Sequence, residues 1–337
     1  MNQHNMLGLF ARITITFLLL CALIAATGWA VLAIYYGDSS TSTAQALLAA
    51  VFGIAGLASI VGVFVQRWRW RSLAGFSVLF ALVLLWWFNI PASNERLWQA
   101  DVARLPYATI EDNLVTVHDL RNFSYRTQTD FTPAYDTRTY DLAKLDSVDL
   151  YTVYWMGPAI AHTIVSFGFG GEDYLAVSIE ARKEEGEAYS SIKGFFRQYE
   201  LFYVVADERD VIRLRTNYRE DPPEDVYRYR VQGSPENARR FFLEYMQTLN
   251  DIKQRPRFYN TLLSNCTNVI WMHSQVNPDH LPFSWKILAS GYVAEYLYDM
   301  GRLDTSMSFA ELTRQGYVNP IAKKLDDTPD FAQRIRD

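Results

Sequence analysis

Cys266 and its neighbours have the residue types and spacing that thiol chemistry requires. Cys266 follows Asn265 and begins an apolar pattern with helical spacing. The N–H groups and the dipole at a helix N-terminus stabilise a thiolate, so this position favours a nucleophile. It is also the only cysteine outside the apolar N-terminal segments, and it therefore has no disulfide partner there. The alternative is a small core residue, since free cysteine is often buried.

A catalytic thiol needs a base within hydrogen-bonding reach, and His162 is the favoured candidate. It lies in a predicted strand, whereas His118 ends a strand and His280 sits in a proline-flanked loop. His273 shares the predicted helix of Cys266. The seven-residue offset from Cys266 to His273 corresponds to about 10 Å along the helix axis, which is too far for direct contact.

A third polar group is predicted beside the imidazole. The strand that carries His162 and the strand after it are joined by a short glycine-containing turn, which is typical of a hairpin. Pairing their apolar positions places Ser178 or Glu180 on the face of His162, because a one-residue slip would mix the two faces. The Glu180 carboxylate would then fix the imidazole tautomer and stabilise the imidazolium. The alternative for Glu180 is an ion pair with Arg182 or Arg215.

The start of the Cys266 helix is also the predicted position of an oxyanion site. Asn265 is a residue type that commonly caps helix N-termini. Backbone N–H groups of the first turn, helped by Asn265 or Tyr259, would hold the negative oxygen of a tetrahedral intermediate.

The order of strand and helix signals predicts an α+β domain. Strand-like segments come first, and helical ones follow. Ser234 and Pro235 supply an N-cap and a first helical residue. The predicted strands are 108–118, 122–127, 147–155, 161–169, 174–182, 200–205 and 211–215, and the predicted helices begin near residues 234, 265 and 291.

Residues 1–91 of the 337-residue chain are almost free of charge. They contain apolar runs that are each close to the roughly 20 residues needed to cross a bilayer as a helix. These runs are Ile13–Tyr36, Ala44–Val65 and Leu73–Ile90. We therefore expect a membrane domain with three transmembrane helices over residues 1–91 and an extracytoplasmic domain over residues 92–337.

The distribution of arginine predicts the orientation in the cytoplasmic (inner) membrane. Arg67, Arg69 and Arg71 lie between the second and third runs, whereas the connection 37–43 has no Lys or Arg. The positive-inside rule then places the N-terminus in the cytoplasm and the soluble domain in the periplasm or outside. A cleaved signal peptide over residues 1–27 is the competing interpretation, but it would leave two spans and trap the domain inside.

Composition also limits the partners and cofactors. The formal net charge is −5, which argues against a nucleic-acid partner because such proteins present a basic surface. One cysteine and scattered histidines do not supply the clustered ligands of a zinc site. We expect neither a metal ion nor another cofactor.

At these positions the sequence resembles the bacterial family of the N-terminal periplasmic domain of Lnb, a lipoprotein intramolecular transacylase. The matching stretches cover most of residues 95–290 in order. They are Asn122–Arg126, Ala161–Thr163 with its following strand, Ser178–Arg182, Asp207–Asp210, and Phe258–Thr261 through Asn265–Thr267. That family is similar to circularly permuted NlpC-type, papain-like enzymes, which include lecithin:retinol acyltransferase and place the histidine strand before the cysteine helix. The resemblance therefore implies a papain-like fold in which Cys266 and His162 are the working residues.

Together these features predict a membrane-anchored, thiol-dependent acyltransferase or transacylase that acts on membrane lipids or lipoproteins. The lipoprotein substrate is an analogy at the level of the family, because the three N-terminal spans lie outside the resemblance. A cysteine peptidase or amidase of the cell envelope would use the same pair of residues. A non-catalytic membrane-anchored binding module, in which Cys266 is inert and buried, is the alternative from another class.

Overall fold

The computed structural model describes residues 3–37 and 42–337, with side chains from residue 9 onward. Most of the predicted first connection, residues 38–41, lies outside the described residues. The chain divides into two compact units. One comprises Met1–Ala92 with Ser190–Gln198, and the other comprises Ser93–Tyr189 with Tyr199–Asp337.

The first unit contains the long apolar helices α1 (Gln3–Tyr36), α2 (Thr43–Phe64) and α3 (Arg69–Phe88). Within the described part of the chain, these three helices are long and apolar enough to cross a membrane. Their exposed side chains are largely apolar, as a lipid-facing surface requires. The prediction of three apolar N-terminal helices is therefore confirmed.

The second unit is built on a mixed sheet of eight strands from the described chain, in the order β1-β2-β9-β8-β7-β6-β10, with β5 also pairing with β2. The β2–β9 pair is parallel and the other pairs are antiparallel. A separate short pair, β3–β4, lies off this sheet. The strands are β1 (Tyr107–Glu111), β2 (Leu114–Arg121), β3 (Ser124–Tyr125), β4 (Phe131–Thr132), β5 (Tyr135–Asp141), β6 (Leu145–Tyr154), β7 (His162–Phe169), β8 (Asp173–Arg182), β9 (Glu200–Ala206) and β10 (Asp225–Arg230).

Helices cover both faces of this sheet. They are α4 (Glu208–Arg213), α5 (Pro235–Gln254), α6 (Cys266–Ser274), α7 (Trp285–Leu288), α8 (Val293–Asp299), α9 (Phe309–Gly316), α10 (Asn319–Leu325) and α11 (Phe331–Arg334). Alternate strand residues enter two different cores because successive side chains point to opposite faces. Val165 of β7 packs with Phe242 of α5 in one core, whereas Ile164 packs with Ile212 of α4 in the other. The α+β class is confirmed.

The hairpin of β7 and β8 has the register that its apolar pattern predicts. Val165 lies opposite Val177, and Phe167 lies opposite Leu175. All four side chains are buried in the core that contains α5 and α6. A one-residue slip would move them to the other face of the sheet, so burial fixes this register.

Two strand predictions were wrong in part, and a third, for residues 211–215, was wrong. Residues 108–118 form two strands, β1 and β2, because Asp112 adopts a positive φ of 52° in the tight turn between them. Residues 211–215 are helical: Asp207 caps α4 by accepting a hydrogen bond from the N–H of Arg209 at 2.9 Å, and a π-helical turn, Leu214–Tyr218, continues it. Of residues 122–127, the two residues of β3 alone are paired as a strand.

Candidate active site

Cys266 is the first residue of α6, and local hydrogen bonds fix that helix start. The Asn265 side chain accepts a hydrogen bond from the N–H of Asn268 at 2.9 Å. Its amide nitrogen donates to the carbonyl of Thr261, also at 2.9 Å. Asn265 is thus an N-cap, as its residue type predicts. Cys266 itself is half-buried and forms no disulfide.

His162 opens β7, and the loop before it is held by a distant segment of the chain. The N–H of Ala161 donates to Ser290 Oγ at 2.9 Å. The neighbouring Gly291 packs so closely that a Cβ at this position would collide with the carbonyl oxygen of Pro158. These contacts fix the backbone from which the His162 imidazole projects.

The fold brings Cys266, His162, Ser178 and Glu180 together. The His162 imidazole lies close enough to the Cys266 sulfur for the charge of each group to shift the pKa of the other. Its Nε2 atom lies 2.7 Å from Ser178 Oγ and 3.2 Å from Glu180 Oε1. Ser178 Oγ donates to Glu180 Oε1 at 2.7 Å. The carboxylate thus contacts the imidazole directly and also through the serine hydroxyl.

Glu180 has an ion-pair partner as well as its contact with the histidine. Arg215 Nη2 lies 2.9 Å from Glu180 Oε1, and Arg215 Nη1 lies 3.2 Å from Glu224. Glu180 therefore has both of the roles that the sequence allows: it contacts His162 and it forms an ion pair with Arg215. Arg182, the other predicted partner, donates instead to the carbonyls of Val102 and Ala103.

The charges in this group favour a thiolate–imidazolium pair. Burial alone would raise the pKa of Cys266, but the charge of His162 and hydrogen bonds to His162 and Thr163 outweigh it and lower the pKa to about 6. Burial likewise opposes protonation of His162, yet Glu180 and the Cys266 thiolate raise its pKa to about 9. Burial would raise the pKa of Glu180, but His162 and Arg215 hold it well below its usual range.

Thr163 also borders this site, although the alternation of β7 places it on the more apolar strand face, opposite to His162. Its backbone and its side chain both help to lower the pKa of Cys266. Its Oγ1 also lies 3.1 Å from Thr267 Oγ1. The available signal was a polar residue on an otherwise apolar strand face.

Tyr259 lies at the edge of the same group. Its N–H donates to the carbonyl of Tyr199 at 2.9 Å, which ties the segment before α6 to β9. Its hydroxyl lies 3.4 Å from that of Tyr189. Burial and the nearby Cys266 charge raise the pKa of Tyr259, so this hydroxyl keeps its proton and can donate a hydrogen bond.

The other histidines of the globular unit have separate settings. His273 is buried, hydrogen-bonds to Tyr203 at 2.7 Å, and has its pKa lowered to about 4 by burial and by Arg257. His118 contacts Thr109, and His280 contacts the carbonyl of Asn277. Among the described residues, no group of three or more His, Cys, Asp or Glu side chains is arranged to hold a metal ion.

The three apolar helices and the mixed α+β unit define a membrane protein with a separate globular domain. Residues 131–291 match the family model described as Lnb N-terminal periplasmic domain. The resemblance found in the sequence is thereby confirmed. A periplasmic family domain joined to three apolar helices fits a membrane protein with an extracytoplasmic domain.

The family match contains the whole candidate site. His162, Ser178, Glu180, Tyr259 and Cys266 all lie within residues 131–291, whereas the stretch 122–126 lies outside it. No curated protein and no solved structure matches the chain.

Proposed function

We propose that this protein is a membrane-anchored, thiol-dependent acyltransferase or transacylase that acts on an ester of a lipid or lipoprotein. The observation that supports it best is the hydrogen-bonded series of His162, Ser178 and Glu180 beside Cys266, the first residue of a helix. A thiolate beside an imidazolium is a nucleophile with its own proton donor. Perturbed ionisation of buried groups at one point of a fold is typical of catalytic sites.

In the first half-reaction, the Cys266 thiolate attacks the ester carbonyl carbon and forms a C–S bond. The tetrahedral oxygen carries the negative charge, and N–H groups at the start of α6 together with the Tyr259 hydroxyl would stabilise it. Asn265 supports that role by holding the helix start in place, since its amide is engaged in the cap. As the C–O bond breaks, His162 gives its proton to the departing alkoxide, which leaves an acyl-thioester and a neutral imidazole.

In the second half-reaction, an amine or alcohol attacks the thioester carbonyl. His162 takes the proton of the attacking group while the C–S bond breaks. The acyl group passes to the acceptor, and the thiolate–imidazolium pair is restored. Glu180 stays ionised throughout and orients the imidazole, as the third member of a catalytic triad does.

We assign the circularly permuted papain-like arrangement to the domain on the same grounds. His162 begins a strand that precedes the helix of Cys266 in the chain, and the two side chains meet. We further propose that residues 1–91 form the membrane domain and residues 92–337 the extracytoplasmic one, with the N-terminus in the cytoplasm and the spans in the inner membrane. Arg67 in the link between α2 and α3, with Arg69 and Arg71 in the first turn of α3, supports that orientation.

A peptidase or amidase would use the same residues, with water as the acceptor. The two reactions differ in the group that becomes attached to sulfur. Mass spectrometry of Cys266 after incubation of the full-length protein with cell-envelope lipids and with peptidoglycan fragments distinguishes them. A hydroxylamine-sensitive fatty acyl adduct supports acyl transfer. A peptidyl adduct with no acyl adduct contradicts it.

A non-catalytic binding module would have an inert Cys266. The test is alkylation by iodoacetamide near neutral pH in a Cys21→Ser background. We expect rapid alkylation that slows markedly in His162→Ala, because the imidazolium stabilises the thiolate. His280→Ala is the matched control, since His280 is exposed and contacts a backbone carbonyl instead of the thiol. Slow alkylation that His162→Ala leaves unchanged would favour the binding module.

A further inference from the structure

A cavity of about 220 Å³ lies within the globular unit. Its lining comes from β6, β7, α5, α6 and the segment that includes α7 and α8. The inner lining is mainly aliphatic and aromatic, and includes Leu150, Val165, Phe241, Ile270 and Leu297. An apolar cavity of about 150 Å³ stays dry and binds benzene. This cavity therefore has the size and chemistry to hold hydrocarbon.

The inner end of the cavity lies next to the sulfur of Cys266. Thr163 and Thr267 line that end, and both are buried. Thr267 Oγ1 lies 3.8 Å from Sγ, and Thr163 Oγ1 lies 3.1 Å from Thr267 Oγ1. These two threonines therefore lie between the cavity and the nucleophile, at the point where an acyl chain on Sγ would enter the cavity.

The outer end has a different character. Gly233, Ser234, Asp279 and His280 line it and are exposed. The cavity thus extends from a polar, solvent-facing mouth to a buried apolar interior beside the thiol. A charged peptide would leave its polar groups unpaired in such an interior, whereas an alkyl chain would not.

We propose that this cavity binds the alkyl chain of the acyl group carried on Cys266 and selects its length. The inference rests on the proposed thioester chemistry and adds the place where the alkyl chain of the acyl group lies. A chain attached through a carbonyl to Sγ would pass Thr163 and Thr267 and lie between α5 and α6. Each methylene buried there strengthens binding about fourfold, which corresponds to ~0.8 kcal/mol.

The test compares acylation of Cys266 in the full-length protein by p-nitrophenyl acetate and by p-nitrophenyl octanoate. Ala238 on α5 lines the cavity, so Ala238→Trp fills it. We expect the octanoyl ester to react at least tenfold faster than the acetyl ester in the unmodified protein. Ala238→Trp should abolish that preference, and an unchanged circular dichroism spectrum reports that the variant is folded. Ala310→Trp, on the exposed face of α9, is the matched control and should behave as the unmodified protein.

Phe241→Ala is a second variant that enlarges the cavity and should shift the preference toward longer chains. An octanoyl preference that neither Ala238→Trp nor Phe241→Ala changes would overturn the cavity assignment while leaving the thiol chemistry intact. Failure of both esters to acylate Cys266 would instead overturn the proposed function, and this inference with it.

Discussion

Replacing Glu180 with glutamine removes the charge that stabilises the His162 imidazolium and leaves the side-chain shape nearly unchanged. The two groups are 3.2 Å apart. Unit charges at that separation interact by about 5 kcal/mol at an effective dielectric constant of about 20. Arg215, 2.9 Å from the same carboxylate oxygen, offsets part of this. We therefore expect the pKa of His162 to fall by about 1–3 units, the range found for a neighbouring opposite charge.

The substitution also destabilises the Cys266 thiolate, because the imidazolium is the positive charge that stabilises it. In Glu180→Gln, His162 loses its proton at lower pH, and Cys266 then titrates beside a neutral ring. The pKa of Cys266 therefore rises from about 6 toward the ordinary thiol value. We expect the pKa of Cys266 to rise by about 1–2, which cannot exceed the fall in the pKa of His162.

The assay is the pH dependence of iodoacetamide alkylation of Cys266 in a Cys21→Ser background. Glu184→Gln is the matched control, because Glu184 is similarly shielded but pairs with Arg96 at 2.8 Å. It should leave the profile unchanged. An unaltered profile in Glu180→Gln, or one displaced to lower pH, would refute the coupling of carboxylate, imidazole and thiol.

Three further predictions concern activity. Acyl transfer from an alkyl ester needs both the thiolate and the imidazolium, so the rate should rise through about pH 6 and fall through about pH 9; a single rising limb would contradict this. Thr163→Val keeps the side-chain shape but removes a hydroxyl that lowers the pKa of Cys266, so that pKa, measured by alkylation, should rise by about one unit. Thr116→Val, at a half-buried position of β2, is the control and should leave the pKa of Cys266 unchanged. Gly291→Ala forces its Cβ against the Pro158 carbonyl and shifts the loop before His162. We therefore expect the activity to fall roughly tenfold or more, while the thermal stability changes less. An activity equal to that of the control variant Gly301→Ala would exclude this positioning role.

The main parts of the site could be predicted from the sequence because they depend on short-range rules. The period of two in β7 and β8 fixed which residues share a face, and burial of Val165 and Val177 fixed the register. Asn265 marked the start of α6 through its capping preference. These rules were enough to predict that His162, Glu180 and Cys266 lie close to one another.

The supporting contacts could not be predicted in the same way. Ser290 meets Ala161 across a separation of 129 residues, and no local pattern encodes that contact. Arg215 lies in a π-helical turn that the apolar alternation of residues 211–215 concealed. The helical state prevails there because Asp207 caps α4 and Ile212 packs into the core of the opposite sheet face. Tertiary packing, which outweighs local propensity, decided these positions.

The most direct measurement of the central claim is the ionisation of Cys266 itself. Thiolate absorption in the ultraviolet is followed against pH for the full-length protein in detergent, as the difference between the Cys21→Ser protein and the same protein with Cys266→Ser. A Cys266 pKa near 6 that moves upward in His162→Ala is the predicted result. A Cys266 pKa at or above the ordinary thiol value of about 8.5, unmoved by His162→Ala, would contradict the account.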